Sequence, residues 1–171
     1  KKNIHFHYDL GNKFYEKWLD KSMTYSSAYF KKENESLLSA QINKYQNRAN
    51  LVQIKPGDRV LEIGCGWGGF SEFLATKYKA KVTAITISKN QYVAVKKRIS
   101  EKNLKDLIRV ELKDYRDIKG KFDKIVSIEM FEAVGEKYWN IFFNKLSESL
   151  NVNGCIGLQT ITIEERFFKT Y

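Results

Sequence analysis

The chain has 171 residues; 43 % are apolar, and 30 Lys and Arg stand against 20 Asp and Glu, for a net charge of +10. That length and apolar share suit one folded domain with its own core and exclude a disordered chain. No apolar run approaches the about 20 residues that a membrane-spanning helix needs, no leader pattern is seen, and Cys65 and Cys155 form neither a metal spacing nor a disulfide framework. The expectation is a cytoplasmic protein whose lysines either face water or meet an anionic partner, nucleic acid or an acidic membrane surface.

Residues 1–55 read as helical pieces joined by turns. His7-Tyr8-Asp9 precedes an aromatic helix over 13–19, and the small and aromatic stretch Tyr25-Ser26-Ser27-Ala28-Tyr29-Phe30 reads as a loop. Ser36 is placed to cap a helix running to about Val52, with Leu37, Leu38, Ile42 and Tyr45 on one face. The turn Pro56-Gly57-Asp58 then opens the second part, 56–171. There the pattern alternates: strands over 59–63, 81–86, 107–112, 124–128 and 155–163, with helices over 70–78, 89–101 and 137–150. The interval 114–123 has little helical pattern and reads as a loop. Such alternation predicts an α/β fold with a largely parallel sheet covered on both faces.

The most informative stretch is Val60-Leu61-Glu62-Ile63-Gly64-Cys65-Gly66-Trp67-Gly68-Gly69. A strand runs into an acid, glycines at alternate positions and a helix start, a turn that brings bare backbone close to a ligand. The spacing is not that of a dinucleotide fingerprint, and no phosphate-loop lysine follows. The second strand ends in Thr86-Ile87-Ser88, with Gln91 one turn on, all uncharged, where a nicotinamide enzyme places a ribose-binding acid. The third ends in Asp114-Tyr115-Arg116; an acid beside an aromatic suits an adenine ring and its amino group, or is simply a turn acid. After the fourth come Glu129, read as a helix-entry or surface acid, and Glu132, which Met130, Phe131 and Val134 would surround with apolar surface.

These motifs, in this order, resemble the cyclopropane-fatty-acyl-phospholipid synthase family, which includes the mycolic acid cyclopropane synthases. The resemblance rests on His7-Tyr8-Asp9, the 25–30 stretch, the glycine turn, Thr86-Ile87-Ser88 with Gln91, Asp114-Tyr115-Arg116 and Phe131-Glu132-Ala133-Val134-Gly135. It implies a Rossmann-like methyltransferase sheet with an N-terminal helical cap. It also implies S-adenosylmethionine held by Tyr25, Ser26, Glu62, Gly64, Cys65, Gly66, Gly68, Thr86, Ile87, Ser88, Gln91, Asp114, Tyr115, Arg116 and Ile128. The reaction implied is methyl or methylene transfer to the double bond of unsaturated phospholipid acyl chains, at the inner, anionic membrane surface. Glu132, with Ser27 and Gln159, would hold a bicarbonate ion acting as base; Tyr8 and His7 would serve the substrate side, or His7 is structural.

Many family members carry Cys where this chain has Ser27 and His where it has Gln159, so product and base are open. The family pattern also continues past Tyr171, which leads us to expect that two further strands belong beyond 155–163. Without them that strand is a bare edge, and cofactor binding, turnover and solubility would suffer; a homodimer is a candidate assembly. The rival readings are a small-molecule or nucleic-acid methyltransferase, or an inactive cofactor-binding module. Against base modification, no Asn-Pro-Pro-aromatic motif follows the fourth strand, and Pro56 is the only proline.

Overall fold

The computed structural model describes residues 12–168. His7 and Tyr8 lie outside the described residues. A one-turn helix, α1 (Asn12–Tyr15), leads into a loop, and α2 (Leu37–Leu51) begins at Ser36, whose hydroxyl accepts from the Ser39 N–H at 3.2 Å. Then follow β1 (Arg59–Ile63), α3 (Gly69–Tyr78), β2 (Lys81–Thr86), α4 (Lys89–Glu101), β3 (Ile108–Leu112), β4 (Phe122–Ile128), α5 (Trp139–Ser149), β5 (Leu150–Gln159) and the one-turn α6 (Glu165–Phe168). The interval after β3 holds only a one-turn helix, Tyr115–Asp117.

The five strands form one parallel sheet in the order β3-β2-β1-β4-β5. The chain starts in the middle at β1, moves outward to β3, then returns to the other side of β1. The reversal falls between β1 and β4, and crevices open at the carboxyl ends of strands at such a point. Both sheet faces are covered, so β1 is buried from Val60 to Ile63. Val60 packs with Tyr45, Phe70, Leu74 and Val95 on the side of α2, α3 and α4. Leu61 and Ile63 pack with Phe142, Leu146 and Ile125 on the side of α5.

Two expectations are corrected here. The buried face of α2 is Ala40, Gln41, Lys44, Tyr45 and Ala49, while Leu37 and Ile42 are exposed. The reason is bonding to another segment: Gln41 Nε2 donates to the Ser26 carbonyl at 2.8 Å and Lys44 Nζ to Ser26 Oγ at 2.6 Å, so two polar residues seat the 25–30 loop. The last strand starts and ends earlier than its apolar pattern suggests. Leu150 already pairs with Phe122, residues 151–154 form a bulge with Asn153 at φ 64°, and Cys155 to Gln159 complete the ladder. Beyond Gln159 the Ile161 N–H turns to Glu132 instead of continuing it.

Candidate active site

The strand-to-helix turn after β1 is built from glycines in the left-handed region: Gly64 at φ 79°, Gly66 at 53° and Gly68 at 83°. A side chain at Gly64 would sit 2.7 Å from Met130 Cγ, so close packing demands glycine there. A side chain at Gly66 would meet nothing within 4 Å; it would enter the cavity that the turn floors.

That cavity has a volume of about 860 Å³ and lies at the carboxyl ends of β1, β2, β3 and β4. The structure places Tyr25, Ser26, Glu62, Gly64, Cys65, Gly66, Thr86, Ile87, Ser88, Gln91, Asp114, Tyr115, Arg116, Ile128 and Glu132 in its wall. Gly68 is the exception among the expected contacts: it starts α3 and packs toward Val95, 3.1 Å from where a Cβ would be. At the β2 end, Thr86 Oγ1 donates to Gln91 Oε1 at 2.7 Å and accepts from the Ser88 N–H at 3.1 Å, while Ser88 caps α4. At the β3 end, Arg116 forks onto Asp114, Nε to Oδ1 at 2.8 Å and Nη2 to Oδ2 at 2.6 Å, and Tyr115 leans edge-on to Phe142. This wall of uncharged polar groups at one strand end, and an acid with an aromatic at the next, fits a nucleoside cofactor.

The lid side comes from the cap. Asp20 accepts from the Ser22 N–H and hydroxyl, Thr24 Oγ1 bonds the Tyr45 hydroxyl, and Arg98 of α4 donates to the Ser22 carbonyl at 2.9 Å. Three elements therefore fix where Tyr25 and Ser26 enter the cavity, and Tyr25 stands edge-on to Tyr15 and Trp18.

Two ionisable side chains beside this site, Glu62 at the end of β1 and Lys44 of α2, are buried. Glu62 points to the α2–α3 side, where Ser71 Oγ donates to it. Burial pushes its carboxyl up to about 8, against the Ser71 bonds and the Lys44 charge. Burial pushes the Lys44 ammonium down to about 8, against the charges of Glu129, Asp20 and Glu62.

At the mouth, Glu132 is exposed on a one-turn helix, not ringed by apolar surface as expected. Phe131 turns away from it onto Trp139, Phe142 and Phe143. Glu132 Oε1 accepts from Thr160 Oγ1 at 2.8 Å and from the Ile161 N–H. The residue that sequence reading undervalued is Glu129. It lines the same cavity and is half-buried, not a free surface acid. Its Oε1 accepts from the Ser27 N–H at 3.1 Å, Ser27 Oγ at 2.5 Å and Gln159 Nε2 at 2.8 Å; its Oε2 accepts from the Ser27 N–H at 3.2 Å. Ser27 and Gln159 do come together, as the resemblance implied, but around a carboxylate of the protein itself. A carboxylate at the end of β4, ahead of small and amide residues elsewhere, was the available signal.

The sequence model of the mycolic acid cyclopropane synthetase family matches residues 1–169. The chain belongs to this family. Among curated relatives, it is 41 % identical over 155 residues to the cyclopropane-fatty-acyl-phospholipid synthase of Escherichia coli K12, covering 91 % of this chain and 39 % of that protein. It is 39 % identical over 161 residues to a probable fatty acid methyltransferase of Pseudomonas putida, covering 93 % and 41 %. The chain thus spans about two-fifths of these relatives' length. Among solved structures, the cyclopropane synthase MmaA2 of Mycobacterium tuberculosis superposes with a TM-score of 0.93 at 34 % identity, covering 96 % of this chain and 58 % of that one. The mycolic acid cyclopropane synthase CmaA1 complexed with SAH and CTAB gives 0.88 at 33 %, covering 92 % and 55 %. Coclaurine N-methyltransferase, bound to N-methylheliamine and SAH, gives 0.79 at 30 %, covering 85 % and 43 %.

Proposed function

We propose that this protein transfers the methyl group of S-adenosylmethionine to the double bond of an unsaturated fatty acyl chain, with membrane phospholipid as the source of that chain. The observation that carries the reading is the cavity at the β1–β4 reversal, floored by Gly66 and walled by residues from the ends of β1, β2, β3 and β4. The cofactor would supply an electrophilic methyl on a sulfonium. The glycine turn would underlie its methionine and ribose parts, Thr86, Ile87, Ser88 and Gln91 would border the ribose, and Asp114, Tyr115 and Arg116 the adenine. Tyr25 and Ser26 would close the top.

Methyl addition to an alkene leaves a carbocation on the acyl chain. A proton must then leave: from the new methyl to close a ring, or from a neighbouring carbon to leave a branch. Aromatic faces beside the cavity and a base at its mouth suit that sequence. No separate bicarbonate is given a place in this reading, because Ser27 and Gln159 already donate to Glu129. The likeness to coclaurine N-methyltransferase favours a second reading, a methyltransferase for small amines.

The test has two parts. Calorimetry should show SAH binding to the wild type and a loss of about 100-fold in Gly66→Val, since a β-branched side chain in the left-handed region both strains the turn and fills the cavity. Labelled methyl transfer to vesicles of unsaturated phospholipid, followed by gas chromatography of the fatty acids, should show a one-carbon addition. Transfer to amines with none to lipid would replace this reading with the second.

A further inference from the structure

We infer that Glu129 is the general base of this reaction, a carboxylate built into the chain where the family resemblance would place a bicarbonate ion. The inference rests on the methyl-transfer reading above. Bicarbonate and carboxylate present the same planar, monoanionic O–C–O group, and one pocket of donors cannot hold both. Here the donors are engaged: the Ser27 amide and hydroxyl and the Gln159 amide all reach Glu129 at 2.5–3.2 Å.

A second observation is independent of those bonds. Glu129 has φ 49°, in the left-handed region where a residue with a Cβ is strained and glycine is not. Such strain, held at a cavity wall, marks a side chain that the site uses. The backbone is over-determined from both neighbours: the Glu129 N–H donates to the Gln159 carbonyl at 2.8 Å, and Gly64 permits the close approach of Met130. Glu129 thus lines the cavity that the glycine turn floors, with its carboxylate held at the edge by Ser27 and Gln159.

The division of bonds suits a base. Oε1 accepts from three donors and is fixed, while Oε2 accepts from one. Oε2 is therefore the oxygen with room for a proton. The step balances without another reactant. The sulfonium's carbon–sulfur bond breaks with its electron pair going to sulfur, and the alkene's π pair forms the new carbon–carbon bond. The cation then loses a proton to Oε2, and the released C–H pair closes the ring or makes the new double bond. The carbocation acidifies the C–H bonds both of the neighbouring carbon and of the new methyl, one carbon removed, so that a carboxylate can serve as base for either outcome. Glu132, bonded to Thr160 and Ile161, is then a positioning residue that fixes the end of β5 and so Gln159.

The deciding experiment follows 13C-bicarbonate by NMR and methyl transfer by label, in buffer freed of carbon dioxide and then restored. Wild-type protein is expected to show no saturable bicarbonate binding and the same turnover with and without it. Glu129→Gly relaxes the backbone and empties the cradle, so it should fold, bind bicarbonate, lose turnover by roughly 100-fold and regain much of it with added bicarbonate. Glu129→Gln keeps the cradle filled and should show the loss without rescue, with SAH affinity unchanged. Saturable bicarbonate binding by the wild type, bicarbonate-dependent wild-type turnover, or full turnover by Glu129→Gln would each overturn the assignment. So would failure of both Glu129→Gly and Glu129→Ala to bind the ion. Absence of lipid methylation by the wild type with SAH still bound would overturn the methyl-transfer reading and the base role with it, while the bicarbonate titration would still decide what fills the cradle.

Discussion

Glu62 is the residue where burial and chemistry meet most directly. Its folded carboxyl titrates at about 8 against an ordinary 4.5, so between those values the folded protein keeps a proton that the unfolded chain releases. Its contribution to stability is therefore fullest below pH 4.5 and declines as the pH rises toward 8. Lys44 acts in the next window: its folded ammonium titrates at about 8 against 10.5, so there stability climbs with pH. Glu62→Gln should match the wild type in stability near the acid end and exceed it at pH 8 by at least about 1 kcal/mol, read as a higher thermal midpoint. A gap that does not change with pH would remove Glu62 from the linkage. Glu132 makes a different prediction. Glu132→Ala removes the acceptor of the Thr160 hydroxyl and the Ile161 N–H and so frees the end of β5, and turnover should fall about 10-fold while SAH affinity holds. The readout is kcat against calorimetric affinity, and full kcat would leave Glu132 without a part in the reaction.

At the scale of elements, the sheet and α2 are matched through one small residue. A Cβ on Gly157 of β5 would fall 2.5 Å from Val52 Cγ1, just past the end of α2. Gly157→Val should therefore force α2 off the sheet and cost about 1–3 kcal/mol in urea unfolding. Because α2 carries Gln41 and Lys44, the same variant should also loosen the 25–30 loop, seen as faster hydrogen exchange at Tyr25 and Ser26. Unchanged stability would mean that the helix end has room to shift. The same element explains an error of pattern reading. Apolar spacing put Leu37, Leu38, Ile42 and Tyr45 on one face of α2; Tyr45 is inside, but Leu37 and Ile42 are exposed, and Gln41 and Lys44 are buried in their stead. Periodicity weighs residue types, whereas a buried polar group is set by whether a distant partner, here Ser26, satisfies it.

For the molecule as a whole, charge and lipid chemistry belong together. No helix among the described residues is long and apolar enough to cross a membrane. With a net charge of +10, attraction to anionic lipid is expected at about 1 kcal/mol for each basic residue close to the surface. Sedimentation with anionic vesicles should then weaken as salt rises from about 0.1 M to 1 M, where the screening length falls from about 10 Å to 3 Å. Equal binding to neutral vesicles would exclude an electrostatic contact.

The local facts were legible in the sequence. Alternating strands and helices specify a parallel sheet because each element's burial pattern is short-range, and the glycine turn marks its own close approach by lacking side chains. That the residues after the first four strands gather at one end of the sheet was legible because parallel strands point their carboxyl ends the same way. Tertiary structure alone decided the rest. It set the strand order that opens the crevice between β1 and β4. It also joined Ser27 to Glu129 across 102 residues, and Gln159 to Glu129 across 30. No periodicity carries such pairings, since a hydrogen bond between remote segments depends on where the whole sheet places them. Nor does composition reveal a glutamate held at φ 49°, because that backbone state survives only through the contacts surrounding it.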